Sequence, residues 1–151
     1  MKPYPQMPPL TDEELKALLQ QAPLARLCSL NPDGTIHVAP IYFKYEDGVF
    51  LIGTQAVSRK ARNIKHNKNV SLMIDTEERP RKGVLIYGQA ELDSDNAVAK
   101  RASIFEKYMS VEQAAKFAQG LARQYAPIII RVKPERMASY DYAKHGFVDD
   151  A

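Results

Sequence analysis

Ala25-Arg26-Leu27-Cys28-Ser29-Leu30-Asn31-Pro32-Asp33-Gly34-Thr35-Ile36-His37-Val38-Ala39-Pro40-Ile41-Tyr42-Phe43 consists of two apolar-rich runs around a short polar break. Pro32 presets one backbone dihedral and Gly34 permits a positive one, so the chain is expected to reverse here. So short a reversal joins antiparallel neighbours, because a parallel pair needs a crossover of about a dozen residues or more. The first strand is expected from Leu24 to Leu30. The second runs from Thr35 to Tyr45 and is interrupted at Pro40, where proline predicts an edge, a bulge or a bend. Glu46-Asp47-Gly48 turns the chain again into Val49 to Thr54, a strand with a buried pattern.

The same reading extends outward. Residues 1–10 carry four prolines and read as an extended arm. Thr11-x-x-Glu14 is a capping box for a helix with Leu15, Leu18 and Leu19 on one face, ending before Pro23. Downstream come a short basic helix from Ser58 to His66, a strand from Val70 to Asp75 and a charged loop from Thr76 to Lys82. A long strand follows from Gly83 to Leu92, with Gly88 a candidate bulge. Two helical stretches come next, Ser94 to Met109 and a second opened by the capping box Ser110-x-x-Gln113. Pro127 to Lys133 and Met137 to Tyr142 read as the last two strands. Hairpin-linked strands with a few helices predict a mainly β fold, an antiparallel barrel with helices attached. The expected organisation is an arm over 1–10, one domain over 11–142 with a helical insert at about 94–124, and a tail over 143–151.

Composition sets the outer limits. The chain has 151 residues, 45% hydrophobic and 26% charged, with net charge +3, which suits one globular domain. No apolar run approaches the roughly 20 residues that span a bilayer, and the first residues lack the apolar stretch of a secretory signal. The single cysteine, Cys28, excludes an intrachain disulfide, and it reads as a small core residue. Its isolation and the missing signal lead to an expectation of a cytoplasmic protein without a membrane partner. His37, His66 and His145 have no metal-ligand spacing, so no metal is expected.

The chemistry is expected where Gly53-Thr54 runs into Ser58-Arg59-Lys60-Ala61-Arg62-Asn63. Ser58 is a helix N-cap candidate. A helix start offers unpaired N–H groups and the positive end of the macrodipole, where acids are the usual residents. Here Arg59 and Lys60 stand in the first turn, and no acid occurs between Asp47 and Asp75. Crowded positive charge at a positive helix end calls for an anion. Phosphate fits, with arginine gripping as a fork and lysine as a point charge. A solvated basic face is the plain alternative. A nucleic-acid surface is not expected, because no aromatics interleave with the cations.

Phe50-Leu51-Ile52-Gly53-Thr54, three residues, then Ser58-Arg59-Lys60-Ala61-Arg62-Asn63 resembles the flavin-phosphate motif of the pyridoxamine 5'-phosphate oxidase-like split-barrel superfamily. The hairpin quoted first, Asn67-Lys68-Asn69-Val70-Ser71-Leu72, Gly83 to Leu92 and Ile130-Arg131-Val132-Lys133-Pro134 are similar to further barrel segments of that family. The resemblance covers about residues 11–142. It implies an antiparallel split barrel that forms a homodimer, with FMN in a pocket shared between subunits. Thr54, Ser58, Arg59 and Lys60 would then hold the phosphate and ribityl chain, and the backbone of Ala39, Pro40, Ile41 and Tyr42 would line the ring. The second subunit would complete the pocket from around Arg79 to Lys82 or Tyr87 to Gln89.

The implied activity is oxidoreduction of a small molecule through bound flavin, with the hard chemistry carried by the cofactor. The tail Lys133-Pro134-Glu135-Arg136-Met137-Ala138-Ser139-Tyr140-Asp141-Tyr142 lacks the Arg-x-His segment of the vitamin B6 oxidases, so that activity is not expected. Two alternatives stay open on the same fold. One is a reductase using the deazaflavin coenzyme F420, whose acidic tail would seek Arg62, Lys65 and Lys68. The other is a flavin-binding protein without turnover.

Overall fold

The computed structural model describes residues 6–145. Its first helix, α1 (Asp12–Gln21), starts where Thr11 Oγ1 accepts the Glu14 N–H at 3.2 Å, and Asp12, Glu13 and Glu14 load its first turn with acid. The strands β1 (Ala25–Leu30), β2 (Ile36–Ile41), β3 (Lys44–Glu46) and β4 (Val49–Gln55) precede α2 (Arg59–His66). Then come β5 (Asn69–Asp75), β6 (Lys82–Asp93), α3 (Ala97–Phe105), α4 (Val111–Ala122) and β7 (Pro127–Asp141). Seven strands form one antiparallel sheet in the order β2-β1-β5-β6-β7-β4-β3, a half-barrel with helices attached. This is the split-barrel architecture expected from the sequence. The split lies between β2 and β3, the two sheet ends, which Tyr42 and Phe43 connect.

Pro40 occupies a sheet edge, as proline in a strand should, but the break predicted at Pro40 falls two residues later. Its missing N–H costs nothing on an edge, so β2 runs through to Ile41. Phe43 then turns inward and is fully buried beside Phe50, with ring centroids 6.2 Å apart. Phe50, Ile52, Leu27, Leu72, Ile74, Val84, Ile86, Ile130 and Val132 fill the barrel, with Leu18 and Leu19 of α1 joined to them. Full burial of each such side chain contributes about 1.5–3 kcal/mol.

β6 and β7 carry the longest ladder. It shifts register between Tyr87 and Gly88: Tyr87 faces Arg136, Gly88 faces Pro134, and Glu135 is the extra residue. The bulge at Gly88 was expected, and close backbone approach demands it, since a Cβ there would lie 2.3 Å from the Lys133 carbonyl oxygen. The expected pair of closing strands is therefore one strand of 15 residues. Pro134 and the charged residues around it suggested an ending, but Pro134 sits at the bulge, where a ladder tolerates proline. Ahead of the bulge Ile128, Ile130 and Val132 are buried; beyond it Met137 packs against the core and Asp141 is buried.

The Ile128-Ile129-Ile130 run has both faces covered within one chain. Ile129 is buried under α3 with Ala97, Ile104 and Leu51. α4 packs on α3 through Phe105, Ala114 and Ala118. The Ser110–Gln113 capping box is formed in both directions. The described part of the arm lies along the end of β7: the Leu10 N–H donates to Ser139 Oγ at 2.9 Å, and Pro8 O accepts from the Asp141 N–H at 2.9 Å. The rest of the expected arm and most of the expected tail fall outside the described residues.

Candidate functional site

The helix α2 begins where β4 ends. Ser58 has extended backbone angles, and its Oγ accepts the Ala61 N–H at 3.3 Å, as an N-cap does. Thr54, buried at the end of β4, donates its hydroxyl to Ser58 Oγ at 3.2 Å and so ties strand to cap. Asn63, fully buried one turn on, donates to Ser29 Oγ at 3.1 Å and to Asn31 Oδ1 at 3.0 Å. These bonds pin α2 to the β1–β2 hairpin. The first turn holds no acid. The cap, strand end and helix start read from the sequence are thus contiguous.

The two cations of that turn face different surroundings. Arg59 is exposed toward the β1–β2 turn. Hydrogen bonds from the Thr35 side chain and backbone hold the Asp33 carboxyl below its usual range, and Arg59 adds a smaller effect. Lys60 is half-buried, and its pKa is lowered first by burial and then by the charge of Arg101. Arg62, Lys65 and Lys68 are exposed.

Arg101, on α3, was not singled out in the sequence. It is 6% exposed, and neither Nε nor Nη1 has a hydrogen-bond partner. Its side chain lies flat on β4 at Gly53, where a Cβ would come within 2.7 Å of its Cγ. Glycine there makes room for the arginine. The guanidinium stands 5.6 Å from the Phe105 ring centre. A signal was present: Ala97, Arg101, Ile104 and Phe105 form one helical face, and a lone cation stands amid its apolar positions.

The segment expected to line a ring lies at the other end of the same face. Ala39 is half-buried, Pro40 exposed, and Ile41 buried in the core. The Tyr42 ring is 43% exposed, stacks on Tyr108 at 4.1 Å and meets Phe105 edge-on at 6.2 Å. Tyr108 in turn accepts the Phe43 N–H at 3.2 Å. A line from Lys60 through Arg101 and Phe105 to Tyr42 thus joins the two segments, and α3 of the helical insert supplies its middle.

Other expected residues are placed as follows. Arg79 to Arg81 are exposed in the β5–β6 connection, and Tyr87 and Gln89 are exposed on β6, with Arg136 over the Tyr87 ring at 4.3 Å. Cys28 is half-buried on the strand face opposite Leu27 and Ser29, so alternation places it outside the core where the sequence suggested it. Tyr140 lies over Gly83 and contacts Tyr142 edge-on at 5.5 Å. Asp93 ends β6 and binds Lys100 at 2.7 Å, while Asn96 starts α3 without a side-chain cap. Lys107 is half-buried with its Nζ 3.6 Å from the Phe43 ring centre, and burial lowers its pKa to about 8. Among the described residues no helix is long and apolar enough to cross a membrane.

An antiparallel half-barrel of seven strands with helices attached defines the class of split barrels. The chain belongs to the family described as pyridoxamine 5'-phosphate oxidase, which matches residues 11–140. No curated protein matches the sequence. Among solved structures, a conserved hypothetical protein from Mycobacterium tuberculosis is similar at 21% identity and TM-score 0.81, covering 97% of this chain and 94% of that one. A heme-storage protein from Vibrio cholerae aligns at 20% identity and TM-score 0.69, over 86% and 94% of the two chains. A structure described as an F420 reductase aligns at 21% identity and TM-score 0.66, over 82% and 94%. At these identities the likeness establishes the fold.

Proposed function

We propose that this protein is an FMN-binding oxidoreductase, active as a homodimer on a small molecule. The observation that carries the reading is the start of α2. A serine cap, a buried threonine and two cations share a helix end that has no acid to balance the dipole. Hydroxyl, N–H and cationic donors, with no carboxylate in the turn, fit a phosphate. Ser58, Lys60 and Arg59 would hold it, with Thr54 fixing the cap. The ring would lie toward Tyr42, beside the backbone of Ala39 to Ile41. A bound flavin supplies two-electron chemistry, so the protein's task is to bind, orient and exclude water. Lys60 serves best as a charge here, because an anion beside it restores the protonated form that burial disfavours.

A second copy fits the open edge. Ile36 and Val38 are 67% and 54% exposed on β2, an end strand with unpaired backbone groups on one side. Sedimentation should give a mass near twice 17.0 kDa. The test of function is titration with FMN and with riboflavin, followed by reduction of bound FMN by a nicotinamide nucleotide and its reoxidation by an added acceptor. FMN binding well above riboflavin, with turnover, supports the proposal. Binding without turnover leaves a flavin carrier instead. Tighter binding of coenzyme F420, falling steeply with salt, would move the cofactor to the deazaflavin through the exposed Arg62 and Lys65.

A further inference from the structure

We propose that Arg101 is a ligand of the anion held at the start of α2, and that its seat with Lys60 takes a terminal phosphate monoester rather than a phosphodiester. The inference rests on reading that helix start as a phosphate site. A guanidinium keeps its proton at any pH at which the protein is folded, so Arg101 brings a permanent charge into the structure. Buried charges are as a rule paired, because an unpaired one loses its hydration with nothing in return. Arg101 breaks that rule twice over. Nε and Nη1 are buried without partners, and among the described residues it takes part in none of the ion pairs. The charge that acts on Lys60 is Arg101, of the same sign.

The position is specific. Arg101 reaches back from α3 and lies across Gly53, one residue before the buried Thr54 that binds the Ser58 cap. Its neighbours on the helix face, Ala97, Ile104 and Phe105, are buried and apolar, a setting for leucine or methionine if packing were the only demand. Two inward cations, Lys60 and Arg101, therefore stand at one strand end with no acid. A phosphate monoester near neutral pH carries close to two negative charges and three free oxygens, matching two cations. A phosphodiester, or either single phosphorus of the pyrophosphate in FAD, carries one charge and two free oxygens, and at this seat would leave one buried cation unbalanced.

The experiment titrates FMN, riboflavin and FAD against the parent, Arg101→Met, Arg101→Lys and Lys60→Ala, and records melting without ligand. The parent should prefer FMN to both other flavins. Arg101→Met should lose about ten- to a hundredfold in FMN affinity with riboflavin unchanged, since one charge-assisted contact goes. Arg101→Lys should fall between. Without ligand, Arg101→Met should melt no lower than the parent, because Nε and Nη1 have no hydrogen-bond partner to lose and methionine keeps the packing against Gly53 and Phe105. If Arg101→Met binds FMN like the parent while Lys60→Ala does not, the Arg101 assignment falls and the phosphate site stands. Equal binding of FMN and riboflavin by the parent brings down both. FAD binding as tight as FMN overturns the monoester preference, and a marked drop in melting temperature for both Arg101 variants would show a partner within the fold or assembly.

Discussion

α2 and α4 begin alike and continue as opposites. Each opens at a serine whose hydroxyl accepts the N–H three residues on, Ala61 in one case and Gln113 in the other. In α4, Gln113 closes the box from its side chain, Glu112 sits in the first turn, and Lys116 pairs with it at 2.7 Å. That helix satisfies its own start. In α2 the first turn carries Arg59 and Lys60, and the side chain at the third position is an alanine that returns nothing to the cap. The lesson is that a cap alone does not mark a site. The departure from ordinary charge placement beside a cap does, because it leaves donors and dipole for something outside the chain.

The comparison breaks most decisively if the cations of α2 are dispensable. Arg59→Ala/Lys60→Ala should keep the fold and lose FMN affinity by about ten- to a hundredfold for each contact removed. Lys60→Ala should cost more than Arg59→Ala, since Lys60 is the half-buried one; flavin fluorescence quenching reads both. Unchanged binding in the double variant ends the site assignment.

Next comes the anchoring of α2 by a buried amide, where α4 is held by apolar packing on α3. Asn63→Ala removes the donor that reaches Ser29 and Asn31, and should lower stability by about 1–3 kcal/mol in denaturant melts. A neutral result would mean that the buried Ala61 and Ile64 and the Thr54–Ser58 bond hold the helix without Asn63.

Charge exchange at the two starts should give opposite signs. Arg59→Glu should stabilise the ligand-free protein by about 0.3–1 kcal/mol, while Glu112→Lys should destabilise it by a similar amount. Chemical denaturation at low salt measures both, and like signs would show that the dipole argument does not separate these helices.

The smallest effect concerns Lys107, a half-buried cation that, unlike Arg101, has acceptors, the carbonyls of Leu19 and Phe43 at 3.4 Å. Its pKa is lowered to about 8 in the folded chain, so between there and the ordinary lysine value of about 10.4 the unfolded chain binds the extra proton. Stability from this group should therefore rise with pH across that window. The melting-temperature advantage of Lys107→Met over the parent should shrink from pH 7.5 to 9.5. A difference flat with pH would mean that the Phe43 ring and the two carbonyls keep the ammonium at an ordinary pKa.

Much of this was legible where the signal is local. Thr11, Ser58 and Ser110 are caps because their hydroxyls act within three residues, and the β1–β2 turn is settled by Pro32 and Gly34. The bulge at Gly88 was legible as a glycine inside a strand. What stayed hidden is set by residues far apart in the chain. The continuity of β7 depends on β6 lying beside it, and Cys28 faces outward because Leu27 and Ser29 take the core. Arg101 meets Gly53 across 48 residues, so the glycine explains the arginine only after folding.

The extra residue Glu135 shifts the phase of β7. Even-numbered positions point inward up to Val132, and odd-numbered ones from Met137 onward. One end of the strand is thus in step with α3, which covers Ile129, and the other with the N-terminal arm, which Ser139 and Asp141 hold. The strand behaves as two rulers joined half a division out of step. Lengthening or shortening it by one residue beyond the bulge would turn the groups that dock the arm, Ser139 Oγ and the Asp141 N–H, to the wrong face, whereas a change of two would restore them. Insertions near the bulge should be tolerated in pairs, and the arm's attachment, rather than the α2 end of the barrel, should register a single one.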